Sequence, residues 1–436
     1  MNTLTLSTLP YTEDVTPHYQ AFCHLDGFVL LESSDKQRAR YDIMSALPYD
    51  HITIARDSVS LREELEQLQR RLPTESSSCD LPFQGGAIGY IAYDFGSELM
   101  GIKAKPHPLL KDTPLVDLCL YDWAIITDHH LKEVHLVINH HLSTNPSHED
   151  EIRTRWFHKS SDRKPFVLQT PFVPLINQID YQHAFQAIHR DLTKGRAYQV
   201  NYTQPFLASY QGDSWGMYAQ IKRKNPVPFS AFLRTNSADI LSFSPERFLT
   251  IDKGHVFTSP IKGTAKRSEN PIEDEQLRMA LQSCTKNRAE NIMIVDLLRN
   301  DLGRFAKTGS VQVTALCEPQ SYHSVHHLVS DIRAQCTDNT TPLQAFLACF
   351  PGGSITGAPK QEAMRIINEH ERYARGVYCG SIAYFSTHGR MDSSIAIRTI
   401  TATKNQLYLA AGGGIVIDSQ CEDEYQECFT KIAALV

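Results

Sequence analysis

"SPERFLTIDKGHVFTSPIKG", residues 244–263, decides how the chain is read. Apolar residues alternate on both sides of Asp252-Lys253-Gly254-His255, the pattern of two antiparallel strands joined by a tight turn. A two-residue Lys253-Gly254 loop pairs residue 252 with 255 and residue 246 with 261. A slip of one residue places Glu246 opposite Lys262. Either way a carboxylate and an amine meet at the mouth of one hairpin. An ordinary cross-strand ion pair is one reading, worth under about 1 kcal/mol on a surface. A reactive amine held at a pocket is the other. Pro245 and Pro260 interrupt the ladder at that end, which favours an irregular rim of the kind that carries sites.

Outward from the hairpin, strand follows strand. "AYQVNYTQPF", "FSAFLRT" and "ADILSFS" precede it, and "GSIAYFS", "SSIAIRTITAT" and "QLYLAAGGGIVID" lie near the C-terminus. A further strand is expected near "HHLVSDIRAQ". Helices are expected at 180–195, in the tract from "EDEQLRMALQ" to "LLRNDLG", near "PKQEAMRIINEHE" and in "DEYQECFTKIAAL". Residues 1–150 read as strands ("GFVLLES", "DLCLYDWAIITD", "EVHLVINH") with one amphipathic helix at 60–72. Strands that succeed one another without helices between them favour antiparallel sheets over a doubly wound parallel sheet. The polar Asn-Pro stretch at 141–155 suggests a loop leading into a helix or linker, with a second composition beginning near 175.

The 436 residues carry a net charge of −6, with 42% hydrophobic and 21% charged residues. That supports a large core and provides no polycation for nucleic acid or a membrane surface. The N-terminal stretch does not read as a secretory signal, and no apolar run is long enough to cross a bilayer. The ten cysteines show neither C-x-x-C nor a typical zinc spacing, as expected of a reduced cytoplasmic protein. The histidine pairs 129-130 and 140-141 are expected in solvent.

Two glycine-rich stretches expose backbone. "FPGGSITGAPK" (350–360) precedes a helix whose free N–H groups suit an anion, a carboxylate rather than a triphosphate, because Ala358-Pro359 stands where a phosphate loop needs Gly-Lys. A plain helix cap with a tight turn is the alternative. "AAGGGIVIDS" (410–419) places three glycines inside a strand pattern, where a ligand or another backbone can approach closely. Glu290 lies on one helix, and Glu427 and Lys431 lie one turn apart on another. The latter two can be a solvated helix pair. Carboxylates from separate helices can also hold Mg²⁺, although spacing alone does not bring Glu290 and Glu427 together.

"YQVN", "SPERF", "PIKGT", "RAENIMIVDLLRND", "HHLVS", "FPGGSITGAPK", "MDSSIAIRT" and "AGGGIVIDS" occur in this order. Together they resemble the chorismate-utilising enzymes, a family that includes anthranilate, aminodeoxychorismate, isochorismate and salicylate synthases. The likeness is strong over 175–436, a chorismate-binding catalytic domain. It is looser over 1–165, through "LLES" (30–33), "LPFQGGAIGYIAYD" (81–94) and "YDWAIITD" (121–128).

The resemblance implies an α/β (α+β) fold like that of anthranilate synthase component I. Two large antiparallel sheets pack together with helices outside, and the N-terminal segment is intertwined with the core. It implies Mg²⁺ on Glu290 and Glu427, with Lys431, Gly413 and Gly414 seating carboxylate oxygens. Arg398 is implied for the enolpyruvyl carboxylate, with Tyr378 beside it. Glu246 is implied as general acid at the departing C4 hydroxyl. His327, Ser354 and Thr356 are implied as pocket residues.

Isochorismate and salicylate synthases carry a lysine base where this chain has Gln199, so water addition is disfavoured. Anthranilate synthases usually read P-I-A-G-T where this chain reads P-I-K-G-T. The lysine variant marks the aminodeoxychorismate synthases, with Lys262 as covalent nucleophile. No glutaminase motif surrounds any cysteine. Ammonia is therefore expected free in solution or from a separate glutamine amidotransferase subunit, with the product serving 4-aminobenzoate and folate synthesis. Anthranilate synthesis, or a non-catalytic chorismate-binding subunit, are the alternatives. The L-L-E-S motif implies an amino-acid pocket at Ser33, for tryptophan in anthranilate synthases; ordinary packing of a strand end is the other reading.

Overall fold

The computed structural model describes residues 4–33, 40–58, 60–72, 74–75, 79–142, 148–158, 165–322, 325–433 and 435–436. Among these described residues the strands form a thirteen-stranded and a ten-stranded sheet. Every strand pair within them is antiparallel. Antiparallel pairing is what the succession of strands predicts, and two large sheets are what the family resemblance implies.

Strands buried on both faces explain the layering. In Val116–Tyr121, Val116, Leu118 and Leu120 join the core beneath one set of helices, while Cys119 and Tyr121 point into the core shared by the two sheets. That shared core includes Ile88 and Ile382 from one sheet and Ile126 and Ile240 from the other. The outer face of the larger sheet packs on Phe185, Trp215 and Ile366 from three helices. The outer face of the smaller sheet packs on Ile294, Leu298 and Phe346. Burial of such apolar surface, at roughly 25 cal/mol per Å², drives the assembly.

The N-terminal segment enters both sheets. Val29–Glu32 pairs with Phe229–Arg234, and Gly86–Ile91 pairs with Ser381–Ser386. The polar stretch after residue 141 does lead into a helix, His148–Phe157.

The hairpin turn is as read: Asp252 pairs with His255, and Lys253 and Gly254 take φ of 50° and 76°. Its far end is not. The second strand stops at Thr258, and Ile261–Lys266 is a separate strand beside Val325–Gln335. Lys262 therefore faces Leu328, and no register of the hairpin sets it opposite Glu246. Pro260, which lacks an N–H to donate, marks the break. "SSIAIRTITAT" is likewise two strands in different sheets, Met391–Ile395 and Thr399–Thr403. His129 also departs from expectation. It is buried, with Nε2 2.8 Å from Asp42, while His130, His140 and His141 are exposed.

Candidate active site

The chain passes from the larger to the smaller sheet between Ser244 and Arg247, and returns between Ile395 and Thr399. The two crossovers lie side by side. The Ile395 N–H donates to the Glu246 carbonyl (3.1 Å), and the Phe243 N–H donates to the Arg398 carbonyl (3.1 Å). Pro245 cannot continue a ladder, and Arg398 sits at φ 51°, a conformation that a non-glycine residue adopts only at a cost of order 1–3 kcal/mol. Each crossover delivers one candidate side chain, Glu246 or Arg398, to a cavity of about 460 Å³. Burial lowers the Arg398 pKa. Among the described residues no carboxylate pairs with its guanidinium, so the fork is available to an anionic ligand.

Lys262 and Glu246 meet in this cavity through Ser354 rather than across a ladder. The Lys262 Nζ donates to the Ser354 carbonyl (3.1 Å), and the Ser354 hydroxyl bonds the Glu246 carboxylate. Burial pushes the Glu246 carboxyl above its ordinary range, held back by the Lys262 charge and by Ser354. Burial pushes Lys262 below its ordinary range, opposed by Glu246 and Glu290. In both groups loss of water is the largest cause, and it favours the uncharged form. Gly263 makes a bulge after Lys262, at φ 78°, so that Thr264 rather than Gly263 stands opposite His327. A Cβ on Gly263 would lie 2.8 Å from the Asn287 side chain, so glycine also lets this strand approach the helix Thr285–Gly303. His327 is buried with Nδ1 2.9 Å from the Thr264 hydroxyl.

The second glycine run lies on the strand Gln406–Ile415, paired with Gln199–Gln211. A Cβ at position 414 would stand 1.9 Å from Gln199 Nε2, and one at 413 would stand 2.6 Å from Glu424 Oε2. Close approach, rather than a special backbone conformation, accounts for these glycines. Gln199 is buried against the cavity wall, and Tyr378 is buried beside it.

Glu290 and Glu427 face the same cavity from separate helices, a juxtaposition that spacing could not show. Glu290 is pushed up chiefly by burial, with the Glu427 charge adding to it. Lys431 pairs with Glu427 (2.6 Å), as their helical spacing suggested, and also donates to the Gly412 carbonyl (2.7 Å). A third carboxylate, Glu424, was missed in the sequence although it lies one turn before Glu427. It is buried, accepts from the Ser419 hydroxyl (2.7 Å) and is pushed up by burial. Lys286 and Asn287 also line the cavity and were missed.

Two expectations move. Thr356 does not line the cavity. It is fully buried, and its hydroxyl donates to the Gly352 and Gly353 carbonyls (3.0 and 3.3 Å), bracing the turn that presents Ser354. The helix Lys360–His370 does not point its N-terminus at the cavity either. Its Lys360 is tied to Asp301 (2.6 Å), and the lining residues of that stretch are Ser354 and Ile355. Ser33 lies in a different cavity, of about 480 Å³, with Arg40, Tyr41, Arg247, Tyr384 and Asp392. The Ser33 N–H donates to Asp42 (3.2 Å). Residues 34–39 of "LLESSDKQRARYD" lie outside the described residues.

A family model described as chorismate binding enzyme matches residues 26–436. The chain belongs to the chorismate binding enzymes. The chain is 42% identical to aminodeoxychorismate synthase component 1 of Salmonella typhimurium, over 98% of this chain and 96% of that protein. It is 41% identical to the protein of the same name from Escherichia coli, with the same coverage. Among solved structures, anthranilate synthase component I from Streptococcus pneumoniae superposes with a TM-score of 0.82 at 30% identity, covering 99% of this chain and 100% of that one. The two-sheet family fold is thus seen in the relative as well. No described helix is long and apolar enough to cross a membrane.

Proposed function

We propose that the chain converts chorismate and ammonia into 4-amino-4-deoxychorismate. The observation that carries this is the placing of Lys262 and Glu246 in one cavity, each displaced by burial toward its uncharged form, in a chain of this family. The neutral Lys262 amine attacks ring carbon C2. The two ring double bonds each shift one position, and the C4 hydroxyl leaves as water with the Glu246 proton. The Glu246 carboxylate then takes the proton that the new secondary ammonium sheds. Ammonia adds at C4, the double bonds shift back, and Lys262 is expelled with a proton returned to it. One hard displacement becomes two easier ones. Arg398 grips a substrate carboxylate, and Gln199 stands where water activation would need a base.

Glu290 and Glu427, with Glu424 nearby, line the cavity with carboxylate oxygens, the donor type that would hold Mg²⁺ there. A bound Mg²⁺ would supply positive charge beside a substrate carboxylate and the departing hydroxyl. The relatives' name, component 1, supports a second component, and a glutamine amidotransferase fits the need for ammonia.

The test is product identification. With chorismate, Mg²⁺ and ammonium salt, the purified chain should form aminodeoxychorismate, and glutamine should serve only once an amidotransferase is added. Glu290→Gln and Glu427→Gln should each raise the Mg²⁺ concentration needed for half-activity. Anthranilate as product would establish the other reaction of the family, and no turnover at high ammonium would favour a binding subunit.

The Ser33 cavity supports an amino-acid pocket, with tryptophan the ligand proposed. Arginines, carboxylates and a hydroxyl surround a space walled by Tyr41, Phe229 and Tyr384, which suits a zwitterion with an aromatic side chain. Millimolar tryptophan should raise the melting temperature, or denaturation should release tryptophan already bound. Neither result occurring would leave the cavity without this ligand.

A further inference from the structure

Away from the candidate active site, three different ligand atoms converge at the margin of the smaller sheet. His51 lies on the edge strand Asp50–Ile54, directly opposite Cys119 on the strand Val116–Tyr121. Asp117 is two residues from Cys119, hence on the same face. One ligand atom from each of His51, Asp117 and Cys119 lies within 4.8 Å of the others. The His51 Nε2 is 2.6 Å from Asp117 Oδ1. None of the three lines the cavity that holds Lys262 and Glu246.

We propose that His51, Asp117 and Cys119 form a zinc site that clips the edge strand to the sheet. Nitrogen, oxygen and sulfur donors together select zinc over the hard cations magnesium and calcium. The strands fix the positions: a cross-strand pair plus an i, i+2 neighbour make a triangle without any loop having to fold around the ion. The Asp117 side chain is only 3% exposed, and among the described residues its cation partner is His51 alone. The His51 side chain is 28% exposed, which leaves an entry path and a fourth position for water. The other convergence, Asp191, Glu369 and His370, has no sulfur, and Arg196 already pairs with Asp191 and Glu369.

Cobalt(II) reports the site directly. The full chain, stripped with chelator and kept in excess Mg²⁺, should take up one equivalent of Co²⁺ with a thiolate-to-cobalt band and intense visible bands of tetrahedral geometry. Zinc should displace it and raise the melting temperature. Cys119→Ser should abolish the thiolate band. His51→Gln, at a partly exposed position, should weaken zinc binding by at least the roughly 10–100-fold that loss of even an outer partner costs. Neither variant should lower chorismate turnover in the presence of Mg²⁺. A parent chain without the thiolate band overturns the proposal. So does a band that persists in Cys119→Ser, or zinc affinity and stabilisation unchanged in His51→Gln.

Discussion

Replacing Lys262 with alanine should lower the rate of chorismate amination by about 10²–10³-fold, or about 3–4 kcal/mol of transition-state stabilisation. Direct attack by ammonia would supply the remainder. The effect should fall on kcat more than on KM, because the covalent bond forms only after binding. Chorismate and Mg²⁺ without ammonia should give an adduct in intact-mass measurement, mapping to Lys262 and missing from the variant. A parent chain with no adduct, together with a Lys262→Ala variant that turns over normally, would return Lys262 to the role of an ordinary cavity cation.

Glu246→Gln should cost about 10²–10⁴-fold, the usual worth of a positioned general acid, and should also change the shape of the pH profile. An ammonium beside a carboxylate holds the same number of protons as an amine beside a carboxylic acid. Burial pushes Lys262 down and Glu246 up, which favours the amine and carboxylic acid arrangement over the charged pair relative to water. The pair then titrates as a unit. Adding a proton removes the nucleophile and taking one away removes the acid, so the parent profile should be bell-shaped. Glutamine at 246 cannot titrate, so the alkaline limb should vanish while the rate still rises with pH as Lys262 deprotonates. An unchanged bell in Glu246→Gln would assign that limb to another group.

Much of the fold and of the site is legible in the amino-acid sequence. Period-two alternation identifies strands, and Lys253-Gly254 identifies the turn, because few residues accept positive φ at two successive positions. Alternation does not say which sheet a strand joins. The crossover at Ala396-Ile397-Arg398 therefore reads as continuous strand, and Pro260 reads as the irregular rim of one hairpin rather than as the boundary of a separate strand beside Val325–Gln335. These irregular points, with the crossover at Pro245, are where Lys262, Arg398 and Glu246 reach the cavity. Glu424 escapes notice because a carboxylate on an exposed-looking helix face gives no sign of burial. Only the glycine at 413, by making room for it, explains its place. Thr356 is implied as a pocket residue by the resemblance alone, and nothing in the sequence separates a hydroxyl that braces a turn from one that lines a pocket. The motif order carries the remaining site assignments, since no local rule brings Glu290 to Glu427.

The weaving of the N-terminal strands into both sheets bears on how the chain is made. The Gln84 N–H bonds the Ser386 hydroxyl across 302 residues, and Gly86–Ile91 sits between Val116–Tyr121 and Ser381–Ser386. On the ribosome, one edge of Gly86–Ile91 stays unpaired until nearly the whole polypeptide has emerged. An apolar strand with an open edge is a target for aggregation. Contacts this distant also slow folding, because loop closure precedes their reward. The nascent chain should therefore depend on holding chaperones late in synthesis, and fragments that end before residue 381 should remain incompletely folded.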